Sequence, residues 1–198
     1  MALDYKVFER DIGNETHPLA VVLKGHLWLE ACMNRALEVA LHDPGMVNLE
    51  RESFSRKLSW CAALNAVPPD SVKVFAAVNK LRNELAHQLG KEITEEDVLK
   101  VEQSIQGHLR VMWDEWNLGK SFDSTSRRLA RVFEFMLATV EFATMRRDWH
   151  KRYQEQIEAH ELMRELWRRT HGETIADKET AAMRPPAPPE PNEIWVSD

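Results

Sequence analysis

Apolar residues in this chain recur every three or four positions, and they almost never alternate with polar residues. Spacing of this kind places apolar side chains along one stripe of a helix, whereas a half-buried strand alternates with a period of two. The chain has 7 glycines and 9 prolines, concentrated at the breaks between the apolar runs. The pattern therefore predicts an all-α fold.

The first long helix is predicted to begin near Pro18, where the missing N–H of proline costs nothing, and to stop before Asp43. Glu30 falls within its apolar stripe, and a carboxylate in that position needs a partner. The other members of the predicted stripe are Val22, Leu23, Leu27, Met33, Leu37 and Leu41.

Capping residues divide the middle of the chain into further helices. Ser53 is placed to cap a second helix, "FSRKLSWCAALN", and Asp70 or Ser71 to cap a third helix that ends near Gly90. Residues 94–97, "TEED", resemble a capping box and predict a fourth helix that runs on to Trp116.

No glycine or proline occurs from Lys120 to His171, which predicts a helix too long for a small bundle. Such a helix either breaks near Arg147 or pairs with something else. Five prolines lie in the last sixteen residues and predict an extended tail. The predicted organisation is a helical bundle over residues 1–115, a long helical extension for packing or dimerisation over 120–171, and a flexible, disordered Pro-rich tail over 172–198.

Composition narrows the class of protein. No run of 18 apolar residues occurs, so no membrane span is expected, and the first residues lack the apolar stretch of a signal peptide. Cys32 and Cys61 lie in apolar helical patterns, which predicts buried free thiols and a cytoplasmic location; a disulfide is the alternative. Two thiols are too few for a zinc site, and we expect neither a metal nor a cofactor.

Charge counts against a general nucleic-acid binder, because the formal net charge is −6. The charge is unevenly distributed, however, since seven Lys or Arg residues are set against three acids between Arg127 and Arg152. Arg127, Arg128, Arg146 and Arg147 are therefore candidate contacts for a nucleic-acid backbone. A solvated helix face of mixed charge explains the same window.

The third helix carries the candidate chemistry. Asn83 and His87, four residues apart, are predicted to lie side by side on nearly the opposite face from its core stripe. Arg82 lies at the flank of the stripe, from which its long side chain can reach outward. An amide, an imidazole and a guanidinium can therefore meet on one patch outside the core. The predicted stripe consists of Val74, Val78, Leu81 and Leu85.

These three groups suit RNA cleavage without a metal. The His87 imidazole can take the 2′-hydroxyl proton or protonate the leaving oxygen, and the Arg82 guanidinium can hold the phosphate in the transition state. Asn83 can orient the imidazole or donate to a phosphate oxygen. One histidine cannot easily act as both acid and base, so two copies related by a twofold axis would supply the second. A polar helix face without chemistry is the alternative.

The sequence around these residues resembles HEPN-type domains. Their motif is an Arg, usually a polar residue, and then a His, which corresponds to Arg82, Asn83 and His87 in "NKLRNELAHQL". The stretch from "FSRK", residues 54–57, to this helix resembles the branch that includes the mannitol operon repressor. "HLWLE", residues 26–30, resembles the first core helix of the family with its inward acid, and we expect Glu30 to pair with Arg82.

The resemblance covers roughly residues 17–110 and implies a HEPN-like helical bundle that forms a homodimer, often with the motif helices facing each other. Many members are metal-independent ribonucleases of toxin–antitoxin or phage-defence systems. Others, including the repressor branch, act as transcriptional regulators or interaction modules. Three functions follow as expectations: a homodimeric endoribonuclease with an RNA substrate, a noncatalytic regulator with a protein partner, and a defence or antitoxin accessory whose tail binds another protein.

Overall fold

The computed structural model describes residues 5–171, and every regular element in that range is helical. The predicted all-α class is therefore confirmed. A short helix, α1 (Tyr5–Phe8), continues as a wider helical turn over Glu9–Gly13. The other helices are α2 (Pro18–Ala40), α3 (Phe54–Ala63), α4 (Ser71–His87), α5 (Glu95–Gln103), α6 (Gly107–Trp116) and α7 (Thr125–His171). The predicted tail, 172–198, lies outside the described residues.

Several helices begin where the capping residues predict. Pro18 is the first residue of α2. At the start of α3 the Ser53 hydroxyl accepts a hydrogen bond from the backbone N–H of Arg56 at 3.3 Å. The capping box of α5 is complete, because Thr94 Oγ1 accepts from the Asp97 N–H at 3.3 Å and Asp97 Oδ2 accepts from the Thr94 N–H at 3.1 Å. These residues determine where α2, α3 and α5 begin.

Asp70 stabilises a different helix from the one expected. Its Oδ2 accepts from the backbone N–H of His108 at 2.9 Å, whereas its side chain makes no capping bond to α4. Ser71 does not cap α4 either, since its hydroxyl donates to the Pro68 carbonyl at 2.6 Å. Gly107 has a φ of 59°, and a Cβ there would collide with the Asp70 carboxylate. The single fourth helix is therefore wrong: this left-handed glycine divides it into α5 and α6.

The buried side of α2 differs from the predicted stripe. Leu23 and Leu27 are 41% and 64% exposed. The core-facing side includes Gly25, where an added Cβ would lie 2.5 Å from the ring of Phe133. A search for large apolar residues cannot detect such a side, because close packing selects small residues there. The buried residues of α2 are Val21, Val22, Gly25, His26, Leu29, Cys32, Met33, Ala36 and Leu37.

The long helix α7 is continuous through Arg147, so the break considered at that residue does not occur. The chain nevertheless divides into two compact units, 1–144 and 145–198. In the first unit, the Phe135 ring of α7 packs edge-on against Trp113 and Trp116 of α6, with centroid distances of 5.3 and 6.1 Å. The first five turns of α7 thus belong to the core, through Leu129, Val132, Phe133, Phe135, Met136, Leu137 and Val140. The described part of the second unit is helix 145–171.

Both cysteines are buried free thiols, as predicted. Burial raises the pKa of Cys32 and of Cys61 to about 12, because the thiolate loses its hydration. Neither thiol is therefore a nucleophile near neutral pH. Within residues 5–171, no helix combines the length and apolar character needed to cross a bilayer.

Candidate functional site

The Arg82–Asn83–His87 motif lies in the last two turns of α4. The helical period predicts that it lies outside the core. His87 is the final residue of the helix and is exposed, while Arg82 and Asn83 are half-buried. The opposite side of α4 packs as predicted, with Val74, Val78 and Leu81 buried and Leu85 partly buried against the core.

An open groove of about 730 Å³ lies between α3 and α4, and Asn83 and His87 line it. Asn79, one turn before Asn83, lines it as well, so three polar residues spaced by four form a row along the groove. Lys80 and Glu84 add the charged part of the lining. The apolar part comes from Leu58, Ala62, Val72 and Ala76.

Arg82 does not line this groove, but it is joined to it through Asn83. Its Nη1 donates to Oδ1 of Asn83 at 3.2 Å. That bond uses one of the five N–H donors of a guanidinium. The imidazole of His87 makes no hydrogen bond within the described part of the chain. Arg82 and Asn83 are therefore in direct contact, and Asn83 and His87 line the same groove.

The predicted Glu30–Arg82 pair is wrong. Glu30 Oε1 instead accepts from Lys57 Nζ at 2.6 Å. The Lys57 side chain is only 1% exposed, so its ammonium depends on this carboxylate far more than the partly solvated Arg82 does. The sequence holds a signal for this pair, because Lys57 occupies a core position of α3 between Phe54 and Cys61.

A buried histidine of α2 contacts the groove residue Asn79. His26 is 6% exposed, and its Nε2 lies 3.1 Å from Oδ1 of Asn79. Its ring stacks on Phe54 with a centroid distance of 4.2 Å. Burial lowers the pKa of His26, and the nearby charge of Arg82 lowers it further. Because Oδ1 of Asn79 can only accept, the imidazole donates in this contact when its proton is on Nε2. Its position between Val22 and Leu29 on the buried side of α2 was the available signal.

The charged residues around the motif differ in whether they form salt bridges. Glu84 is held by Lys91, whose hydrogen bond lowers the pKa of that carboxyl. Neither Lys80 nor Arg82 forms a salt bridge with any residue between 5 and 171. Lys80 is therefore a cation of the groove lining without a salt bridge in that range, and Arg82 is a second such cation next to Asn83.

The four arginines predicted as backbone contacts do not line the groove. Arg127 pairs with Asp123 at 2.9 Å. Arg128 forms salt bridges with Glu102 and Glu95 of α5, and their hydrogen bonds raise its pKa. Its charge is therefore already paired within the protein. Arg146 and Arg147 belong to the second unit. Their contact with nucleic acid stays a prediction.

Comparisons of the chain with protein-family models, with curated proteins and with solved structures found no match. The HEPN resemblance therefore stays a prediction that depends on the quoted residues. In the described residues, no group of three or more His, Cys, Asp or Glu side chains is arranged to hold a metal ion.

Proposed function

We propose that this chain is a metal-independent endoribonuclease of the toxin or phage-defence type, which acts as a HEPN-like homodimer. The observation that supports it most is the exposed His87 imidazole, which lines a groove beside Asn83 and has no hydrogen-bond partner in the described chain. A histidine that only stabilises a fold is hydrogen-bonded or packed, as His26 is. His87 is instead available to a ligand.

The reaction needs a base, an acid and a cation that binds the phosphate. The 2′-oxygen of a ribose forms a bond to the adjacent phosphorus as its proton passes to an imidazole, and the bond from phosphorus to the 5′-oxygen breaks. A second proton goes to that leaving oxygen. The products are a 2′,3′-cyclic phosphate and a 5′-hydroxyl. Arg82, with N–H donors beyond the one given to Asn83, would bind the phosphate and favour its charged transition state.

Two protons move in opposite directions in this reaction, and one groove contains one free imidazole. A homodimer with the ends of its α4 helices adjacent would place a base from one copy and an acid from the other on the same phosphate. Asn83, which accepts from Arg82, would hold that guanidinium beside the imidazole of its own chain.

The test is cleavage of end-labelled single-stranded RNA by the pure protein in EDTA. We expect the wild-type protein to cut and His87→Ala to lose at least about a hundredfold in rate, the contribution typical of a general acid–base group. His108, an exposed histidine on α6, provides the control, and His108→Ala should cut like wild type. Absence of cutting by a clean wild-type protein would reject the proposal.

A second function is favoured by the apolar part of the groove. Leu58, Ala62, Val72 and Ala76 would suit an apolar segment of another protein better than a phosphodiester. In that case the chain is a noncatalytic regulator or interaction module, and the polar row fixes the orientation of a partner. An inactive wild-type protein whose pulled-down partner is lost in Ala76→Arg, but kept in His108→Ala, would favour this alternative.

A further inference from the structure

Two serines of α3, one turn apart, line the same groove but differ in what their hydroxyls do. Ser59 donates its hydroxyl proton to the Ser55 carbonyl at 3.0 Å. Ser55 does the reverse, because its Oγ accepts a hydrogen bond from Nδ2 of Asn79 at 3.2 Å. Its own proton has no acceptor among residues 5–171. Ser55 therefore lines the groove with its hydroxyl donor unused in the described chain, whereas the donor of Ser59 is used.

A chain of hydrogen bonds that begins in the core keeps the proton of that hydroxyl away from Asn79. His26 is held by burial and by the Phe54 ring, and its Nε2 lies 3.1 Å from Oδ1 of Asn79, an oxygen that can only accept. An amide whose oxygen accepts from His26 must present its NH₂ group on the other side, toward Ser55. The Ser55 oxygen is then occupied as an acceptor, so its proton points away from Asn79.

We propose that Ser55 is a binding residue of the groove, that its hydroxyl donates to a phosphate oxygen of the RNA strand, and that Asn79 and His26 position it. The inference rests on the proposed function only in taking RNA as the ligand. It assigns the strand a path along the row from Ser55 and Asn79 to Asn83 and His87. Ser55 would therefore contact the strand beside the reacting phosphate and would take no part in proton transfer.

The experiment measures binding separately from cleavage. The probe is a fluorescent single-stranded RNA with every 2′-hydroxyl methylated, which keeps the phosphates but cannot be cut by 2′-oxygen attack. Fluorescence anisotropy at one fixed salt concentration gives Kd for each variant, because phosphate binding depends strongly on salt. Thermal melting of each variant reports whether its fold is intact.

We expect Ser55→Ala to raise Kd by roughly fivefold to thirtyfold, the size of one hydrogen bond to a charged group at an accessible site. Ser59→Ala is the matched control and should bind like wild type. Asn79→Ala should weaken binding by a similar factor, and the double variant should be no weaker than either single one, because Asn79 acts only by positioning the Ser55 hydroxyl. If Asn79→Ala weakened binding only by disturbing the fold, its effect on Kd would multiply with that of Ser55→Ala.

Each other result overturns the inference. It is wrong if Ser55→Ala binds like wild type, if Ser59→Ala loses as much, if the double variant loses the product of both factors, or if the wild type does not bind the probe. Cleavage of unmodified RNA is scored separately. If the wild type binds the probe, the variants change Kd as expected and the wild type does not cut RNA, the nuclease proposal is rejected and the role of Ser55 in binding stands. A wild type that cuts while Ser55→Ala binds normally rejects only the binding residue.

Discussion

Lys57 is a charged residue in a core position, and it determines the role of its neighbour Glu30. Its side chain is almost fully buried, whereas that of Glu30 is 27% exposed. The carboxylate therefore neutralises the ammonium at the boundary of the core and keeps one side in water. Removal of the acid leaves a buried cation unpaired, which is costlier than removal of both charges.

Glu30→Gln should lower the free energy of unfolding by about 2 kcal/mol, below the range for a fully buried pair because Glu30 is partly solvated. The double change Glu30→Gln with Lys57→Met should recover most of that loss. Glu38→Gln, at an exposed position of the same helix, is the control and should shift stability by less than about 0.5 kcal/mol. Urea denaturation measures all four proteins, and equal effects at positions 30 and 38 would contradict this assignment.

His26 makes stability depend on pH in a defined direction. Its pKa in the folded protein is lowered from 6.5, so the unfolded chain binds more protons as the pH falls through that value. Stability linked to the neutral imidazole is therefore complete above 6.5 and is lost as the pH falls toward the folded pKa. His26→Gln should flatten the decline in unfolding free energy between about pH 7.5 and pH 5.5.

The same titration of His108→Gln provides the comparison for this pH effect. His108 is exposed and is not part of the His26–Asn79 contact, so its replacement should leave the slope of the wild type. Parallel curves for wild type and His26→Gln would show that His26 is not the group responsible.

At the scale of helices, α2 and α7 approach each other closely at Gly25. An alanine in a helix ordinarily stabilises it by about 1 kcal/mol relative to glycine. Here the added Cβ would lie 2.5 Å from the Phe133 ring, so the ring or the helix must move. Gly25→Ala should therefore destabilise the protein by about 1 to 3 kcal/mol, the usual cost of overpacking.

Phe133→Leu in the Gly25→Ala background tests the cause of that loss, because a smaller side chain makes room for the methyl group. We expect the double variant to lose less unfolding free energy than the sum of the losses of the two single variants. Simple additivity, measured by thermal or urea unfolding, would show that the ring is not what opposes the methyl group.

The outcome of sequence reasoning differs between these helices for physical reasons. The starts of α2, α3 and α5 follow from Pro18, Ser53 and the capping box at Thr94, because capping depends on neighbouring residues. The break between α5 and α6 occurs at the left-handed Gly107, and the contact that stabilises it joins Asp70 and His108, which are 38 residues apart in sequence. A local pattern does not contain that contact.

For the candidate site as well, features that depend on one helix could be predicted, and features that depend on neighbouring helices could not. Helical geometry alone places Asn83 and His87 outside the core of α4, and the structure agrees. The partner of Glu30 and the role of His26 depend on which helices become neighbours, so periodicity within one helix cannot supply them. Family resemblance indicated the wrong partner for Glu30, since a buried lysine takes precedence over a solvated arginine.

At the scale of the whole molecule, the proposal requires two chains for each pair of active histidines. Mixing the wild type with an excess of His87→Ala chains should convert most wild-type chains into hybrid dimers that hold one imidazole. We therefore expect the cleavage rate per wild-type chain to fall as the excess grows. Light scattering should show dimers throughout, and an unrelated protein at the same concentration should leave the rate unchanged.

A cleavage rate per wild-type chain that stays constant while hybrid dimers form would show that each chain acts alone. The homodimeric mechanism would then be wrong, even if His87 itself proved essential. Neither the long helix α7 nor the net charge could explain such a result, because the wild-type and His87→Ala chains share both.

The chemistry at His87 is tested most directly by the ends of the RNA fragments. Wild-type protein is incubated in EDTA with an RNA of known sequence, and mass spectrometry identifies both ends at each cut. We expect 2′,3′-cyclic phosphates paired with 5′-hydroxyls, and no such fragments from His87→Ala. Fragments with 5′-phosphates and 3′-hydroxyls, or an uncut RNA, would contradict the assignment of this groove as a ribonuclease site.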